Sequence, residues 1–189
     1  MSGVVVHRLP GAELLAREGE VRRVYAQALT GPPWREDSSA SGRFLRRLAD
    51  DVARPGFTAA DAVRDGALVG LATAWMTPDP FPSGRCYPQA ALALGPERTA
   101  RWLGGREVDE LADATAARGR GAGAALLDAV TEDAPDGRCW LLTSAHACAA
   151  VAFYIRLGWT QATHPAPEGT GSAVFLGPGH PAKAAARPL

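Results

Sequence analysis

Three glycines fall within the seven-residue run Arg118-Gly119-Arg120-Gly121-Ala122-Gly123-Ala124. The run stands where a candidate strand, Val108 to Thr115, gives way to an apolar helix from Ala124 to Val130. Glycines at such a junction remove the Cβ atoms that would hold a ligand away from the backbone. The first N–H groups of a helix have no partner within it, and the positive end of its dipole lies behind them. The run therefore reads as a phosphate cradle. Two familiar cradles are excluded. A Walker loop closes on Gly-Lys-Ser/Thr, whereas this run closes on Gly-Ala-Ala. A dinucleotide fold sets its glycines after the first strand of a βαβ unit, with an acid about 20 residues on. Here a long stretch of chain precedes the loop, and Glu132 and Asp133 come too early, in a polar turn.

The strand before the cradle is rich in carboxylates: Glu107, Asp109, Glu110 and Asp113. Alternation puts Glu107, Asp109 and Asp113 on one face and Glu110 on the other, unless a bulge intervenes. Each acid is a candidate proton acceptor, and each also reads as an ordinary surface charge. His146 is a further candidate; His7, His164 and His180 offer less. Lys+Arg and Asp+Glu both number 20. No net field draws in nucleic acid or an anionic membrane. Three cysteines, Cys86, Cys139 and Cys148, lack metal-ligand spacing, so no metal is expected. Cys139 and Cys148 lie in apolar stretches and read as core filler in a reducing compartment. No apolar run is long enough for a transmembrane span, and no signal peptide is evident. A cytoplasmic protein is expected, and the Ala, Gly, Arg and Pro content fits a GC-rich bacterial genome.

The form Arg118-x-x-Gly121-x-Gly123 is followed, further along, by Phe153-Tyr154-Ile155-Arg156-Leu157-Gly158-Trp159. Together, in this order and separation, the two motifs resemble the acetyl-CoA signature of the GNAT family of N-acetyltransferases. The resemblance implies that backbone N–H groups of Gly119, Arg120, Gly121, Ala122, Gly123 and Ala124 take the pyrophosphate. Arg118 and Arg120 would add positive charge, although Arg120 reads equally well as a solvated surface residue. Leu111, Ala112 and Asp113 would offer a strand edge to the pantetheine arm. The family usually has Val where Asp113 stands and Pro where Thr115 stands. The Asp113 side chain would then face the acceptor amine or water. Tyr154 would give a proton to the departing thiolate. Its plain alternative is an interfacial core tyrosine, as Phe153, Leu157 and Trp159 are most simply core. Glu107, Asp109 and Glu110 are the candidate bases. Leu142 stands where the branch that acetylates ribosomal-protein N-termini has Glu. Ala147 stands where many members have an Asn that touches pantetheine.

Positioning these residues takes a single α/β domain over 1–177. The expected architecture is a mixed, mostly antiparallel sheet of six or seven strands flanked by helices, with a splayed parallel strand pair at the CoA site. Val4 to Leu9 is the first strand, and Glu13 to Leu29 a helix. A second helix, Phe44 to Val52, is capped by Ser38 or Ser39 and closed by Pro55-Gly56. Phe57 to Arg64 and Ala67 to Trp75, joined by Asp65-Gly66, form a hairpin. Residues 77–106 read as an insertion, with a helix from Gln89 to Leu103 broken near Gly95-Pro96. Its prolines and Gly104-Gly105 suggest a mobile segment bordering the acceptor site. Arg85, Tyr87, Arg98, Arg101 and Trp102 are its contact residues, Trp102 serving alternatively as an anchor. Arg138 to Thr143 is a buried strand, and Ala147 to Leu157 a helix ended by Gly158. Trp159 to Thr163 and Ala173 to Leu176 are the last strands. Residues 178–189 are expected to fray as a C-terminal tail.

The function implied is acetyl transfer from acetyl-CoA to a small-molecule primary amine by direct attack in a ternary complex. The alternatives are a longer acyl-CoA, a peptide amine acceptor and a non-catalytic CoA-binding sensor. A ping-pong cysteine route is disfavoured, because no Cys has an evident activating neighbour. A homodimer is one option that the family resemblance leaves open.

Overall fold

The structure, a computed structural model, describes residues 3–85, 87–114, 119–164 and 171–186. Seven strands form one sheet in the order β1-β2-β3-β4-β5-β7-β6. They are β1 (Val5–Leu9), β2 (Thr58–Arg64), β3 (Ala67–Met76), β4 (Arg106–Asp113), β5 (Cys139–Ser144), β6 (Thr160–Gln161) and β7 (Ser172–Leu176). The sheet is mostly antiparallel, with β4 and β5 parallel, and helices flank it. Contacts along the chain group it into two compact units: Met1–Trp75 with Val108–Glu132, and Met76–Glu107 with Asp133–Leu189.

In the first unit β2 pairs with β1 on one side and β3 on the other. Asp65 (φ 52°) and Gly66 (φ 78°) turn the β2–β3 hairpin. Positive φ at both central residues is what an Asp-Gly turn supplies. The helix expected over Glu13 to Leu29 is two helices, α1 (Gly11–Ala16) and α2 (Glu18–Leu29). The break falls at Arg17 and not at Gly19. Arg17 donates to Glu20 at 2.9 Å and to Asp61 at 2.6 Å. Leu14 and Val21 keep the buried face continuous across the break, so periodicity alone hides it. Helix α3 (Ala40–Asp51) buries Phe44, Leu45 and Leu48 against α2, with Tyr25 and Phe44 stacked at 4.4 Å. Neither Ser38 nor Ser39 caps it: Ser39 occupies the N-cap without a side-chain cap bond. Instead, Asp37 Oδ1 accepts from the Ser39 N–H at 2.7 Å and from its hydroxyl at 2.5 Å. Helix α6 (Ala122–Thr131) packs on β1 and β2.

The second unit holds the residues expected to be mobile, and they are part of its core. Helices α4 (Tyr87–Leu94) and α5 (Pro96–Trp102) are separated by Gly95 at φ 79°. Tyr87, Ala90, Leu94, Trp102 and Leu103 are buried in one cluster with Trp140, Val174 and Leu176. Trp102 is thus an anchor. The prolines and glycines that suggested mobility mark only the ends of a segment whose apolar face is packed. Gly105 (φ 88°) lies where a Cβ would come 2.3 Å from the Arg138 carbonyl oxygen. Only glycine allows that approach, which lets the Arg106 N–H donate to the Arg138 carbonyl at 2.8 Å as β4 and β5 begin. After a single 3-10 turn at Pro135–Gly137 come β5 and then α7 (Cys148–Arg156), which ends before Gly158 at φ 83°. The penultimate strand is shorter than its sequence suggests, only Thr160–Gln161.

Residues 178–186 do not fray. Ala186 joins the Trp102 cluster, and His180 is buried. His180 Nε2 lies 3.0 Å from the Trp102 carbonyl, and its Nδ1 accepts from the Ala182 N–H at 3.1 Å. Cys139 is buried as expected, but Cys148 is exposed. It begins a helix whose apolar composition does not dictate which side faces inward.

The two bonds to His180 require the neutral ring, protonated on Nε2. Burial pushes His180 below the ordinary histidine value of 6.5. The folded state therefore takes up a proton less readily than the unfolded chain. The stabilisation is fully present above pH 6.5 and is lost as pH falls towards the folded value. His180→Gln should be less stable at pH 7 and should show a flatter stability slope between pH 7 and 5, by denaturant melts. Parallel slopes for wild type and variant would contradict this role.

Candidate active site

The turn before α6 has the backbone that a cradle needs. Gly119 (φ 74°) and Gly121 (φ 82°) are left-handed, and among the described residues a Cβ on either would meet nothing within 4 Å. Gly121 is the N-cap of α6 and supplies no side-chain cap. The Ala125 N–H already bonds the Gly121 carbonyl at 3.1 Å. The earlier N–H groups, of Ala122, Gly123 and Ala124, are those that an α-helix leaves without an internal acceptor. Arg120 is exposed, as are Gly119 and Gly121. Arg118 and Thr115 lie outside the described residues.

Four acids on one strand have three different surroundings. Asp109 and Glu110 share one cation in the first unit. Arg47 Nη2, on α3, lies 3.0 Å from Asp109 Oδ2 and 3.5 Å from Glu110 Oε2. Strict alternation would send these neighbouring side chains to opposite faces, yet both carboxylates reach one nitrogen. The separation expected between them does not hold. Asp113 is half-buried, with its Oδ1 turned inward. Its Oδ1 lies over Gly70 of β3, where a Cβ would come within 2.8 Å of it and 2.9 Å of Leu126 Cδ1. Leu111 is half-buried and Ala112 fully buried beside it, and the Ala114 N–H bonds the Val69 carbonyl at 2.8 Å.

Glu107 belongs to the second unit, where it is buried and accepts a 2.6 Å hydrogen bond from the Tyr87 hydroxyl. Tyr154, on α7, is also in this unit and is buried. Its ring packs 6.0 Å from Trp159 and 5.8 Å from Phe175. The Trp159 N–H bonds the Tyr154 carbonyl at 3.0 Å, which fixes the turn that Gly158 makes. His146 is exposed, its ring beside Gly171. Burial pushes the Cys139 thiol up to about 11, so it is a poor thiolate.

Residues 20–159 match the model of the acetyltransferase (GNAT) family. The chain belongs to that family. Solved acetyltransferases share the fold at low identity. A histone acetyltransferase HPA2 and related acetyltransferase from Corynebacterium glutamicum aligns at TM-score 0.62 and 20% identity, over 95% of this chain and 97% of its own. The ribosomal-protein-S18-alanine N-acetyltransferase from Escherichia coli gives 0.56 and 15%, over 94% of each chain. A PaiA N-acetyltransferase from Thermoplasma acidophilum, solved in complex with coenzyme A, gives 0.55 and 12%, over 93% and 98%. Curated protein sequences give no match.

GNAT acetyltransferases use acetyl-CoA, and the open, left-handed glycines before α6 fit a pyrophosphate. Among the described residues no group of three or more His, Cys, Asp or Glu is placed to hold a metal, and no helix is long and apolar enough to cross a membrane. Sequence reasoning missed Arg47 as a partner of the acids. Its only signal is an arginine beside the apolar face of α3, three residues after Phe44. Tyr87 was read as a substrate contact, whereas it holds Glu107. Tyr87→Phe removes that hydroxyl from a buried carboxylate. The loss should be about 1–3 kcal/mol, read as a lower urea midpoint at unchanged slope. An unchanged midpoint would show that the bond contributes nothing.

Proposed function

We propose that the protein moves the acetyl group of acetyl-CoA to the primary amine of a small molecule, by direct attack within a ternary complex. The turn at the head of α6 carries this reading: two left-handed glycines, no side-chain cap, and open space where Cβ atoms would stand. Backbone N–H groups from Gly119 to Ala124 take the pyrophosphate, with Arg118 and Arg120 adding charge. The backbone of Leu111, Ala112 and Asp113 pairs with the pantetheine amides; the inward Asp113 side chain does not interfere. The bound thioester supplies an activated acetyl carbonyl. One of Glu107, Asp109 and Glu110 accepts the proton of the incoming ammonium, and the freed amine forms the new N–C bond. The C–S bond breaks, the Tyr154 phenol protonates the departing thiolate, and the second proton that the nitrogen loses as the amide forms restores the phenol.

The raised Cys139 thiol supports direct attack over a cysteine-bound acyl group. Leu142, in place of the N-terminal acetylating branch's Glu, supports a small-molecule acceptor over a protein N-terminus. We extend the expected catalytic domain of 1–177 to include the packed residues 178–186, and place the protein in the cytoplasm.

Two variants test the reading. Gly121→Val puts a β-branched residue at φ 82° and crowds the cradle. Its acetyl-CoA dissociation constant should rise at least about tenfold by calorimetry. Tyr154→Phe keeps the ring, so acetyl-CoA binding should hardly move, while thiol release with an active amine should fall about 10²-fold. Unchanged affinity in a folded Gly121→Val protein would remove the pyrophosphate from this turn. Wild-type turnover in Tyr154→Phe would remove Tyr154 from the chemistry.

A further inference from the structure

One guanidinium ties α3 to the acids of β4. Besides Asp109 and Glu110, Arg47 meets Asp51 of its own helix, Nε to Oδ2 at 3.4 Å. The β4 carboxylates are nearly out of water: the Asp109 side chain is 3% exposed and that of Glu110 14%. Arg47 reaches them from the surface, itself 32% exposed. Its guanidinium lies 5.4 Å from the Phe44 ring centroid, and Phe44 stacks on Tyr25. Burial first, then the charges of Glu110 and Glu36, push the Tyr25 phenol up, with Arg47 opposing them. Among the described residues, the ionisable groups around Arg47 include Asp51 and, behind it, Arg54 (Nε to Asp51 Oδ1, 2.5 Å), Asp109 and Glu110 from β4, the Tyr25 phenol from α2, and Glu36.

We propose that Arg47 is a positioning residue for proton transfer: it keeps Glu110, the less buried of the two acids, ionised and fixed, so that Glu110 can take the acceptor's proton. The inference rests on the amine-acetylation reading above. Two adjacent carboxylates withdrawn from water do not both stay ionised without a cation; one takes up a proton instead. A carboxyl that already holds a proton cannot remove another from an ammonium. Arginine suits the task because its charge does not titrate and its fork can meet more than one oxygen. In the step served, the proton passes from the ammonium nitrogen to a carboxylate oxygen, and the nitrogen keeps the electron pair that attacks. Stacking on Phe44 fixes where the guanidinium sits, and hence where the carboxylates point.

The test compares wild type with Arg47→Met and Arg47→Lys. The first readout is the titration of the Glu110 carboxyl by carbon-13 NMR, without substrate. The second is kcat and kcat/KM against pH with an active amine. In Arg47→Met the Glu110 midpoint and the acid limb of kcat/KM should both move up by about one pH unit or more. Below that limb kcat should fall about tenfold or more, with the acetyl-CoA KM within about threefold of wild type. Arg47→Lys, which keeps a cation, should restore the limb. A purely structural tether would lower the melting temperature and move neither the midpoint nor the limb, and that result overturns the proposal. If Arg47→Met does not fold, the double variant Arg47→Met/Glu110→Gln removes one of the carboxylate charges that Arg47 meets. It should fold and lose the wild-type limb; a folded double variant that keeps the limb also overturns the proposal. Absence of thiol release from wild type with every amine would sink the acetylation reading itself, while the Glu110 titration would still decide whether Arg47 holds Glu110 ionised.

Discussion

Carboxylates withdrawn from water on a sheet strand are the constraint on which much of this structure depends. Strand β4 carries Glu107, Asp109, Glu110 and Asp113 within eight residues. A buried carboxylate without a partner costs several kcal/mol or becomes protonated. Partners for these acids come from elements far apart in the chain. Tyr87 donates to Glu107, and Arg47 meets Asp109 and Glu110. Each match fixes an element. The helix carrying Tyr87 is held on its unit's core by its hydroxyl as well as by its ring, and α3 is held to β4 through Arg47. Acids that could serve a reaction are thereby also structural, which limits how freely they can be replaced.

The glycine turn before α6 was legible because its determinants are local: three glycines in one run, between a strand and a helix. The β2–β3 hairpin was legible for the same reason, since Asp65-Gly66 specifies a turn and its register. The break between α4 and α5 was visible at Gly95-Pro96. What was not legible is pairing over distance. Arg47 and Asp109 are 62 residues apart, and an arginine on an amphipathic helix has many possible carboxylates. Strand alternation assigned Asp109 and Glu110 to opposite faces because it describes the backbone, while long side chains can bend to a common cation. The split at Arg17 escaped notice because an ion-paired kink leaves the hydrophobic spacing intact.

The reading of 77–106 as mobile failed for a related reason. Proline and glycine describe where a segment can turn, not whether it is packed. Tyr87, Ala90 and Leu94 lie at helical spacing and bury one face, and Trp102 closes the next helix. What reads as an insertion supplies Tyr87, Ala90, Leu94, Trp102 and Leu103 to the second unit's core. Specificity in such a protein would be adjusted by changing residues within packed helices, a slower route than lengthening a free loop.

The bond between His180 and the Trp102 carbonyl bears on how the protein is made. A ribosome delivers the chain from its amino end, and compact units fold as their parts emerge. The first unit has every segment it needs once residue 132 is out. The second cannot seal its core until residues 180 and 186 arrive, although Tyr87 and Trp102 were made long before. During that interval two large aromatic side chains wait without their final neighbours. The order of synthesis thus makes the second unit the vulnerable one, and conditions that slow elongation past residue 132 would lengthen the exposure of its apolar helices to solvent and to other nascent chains.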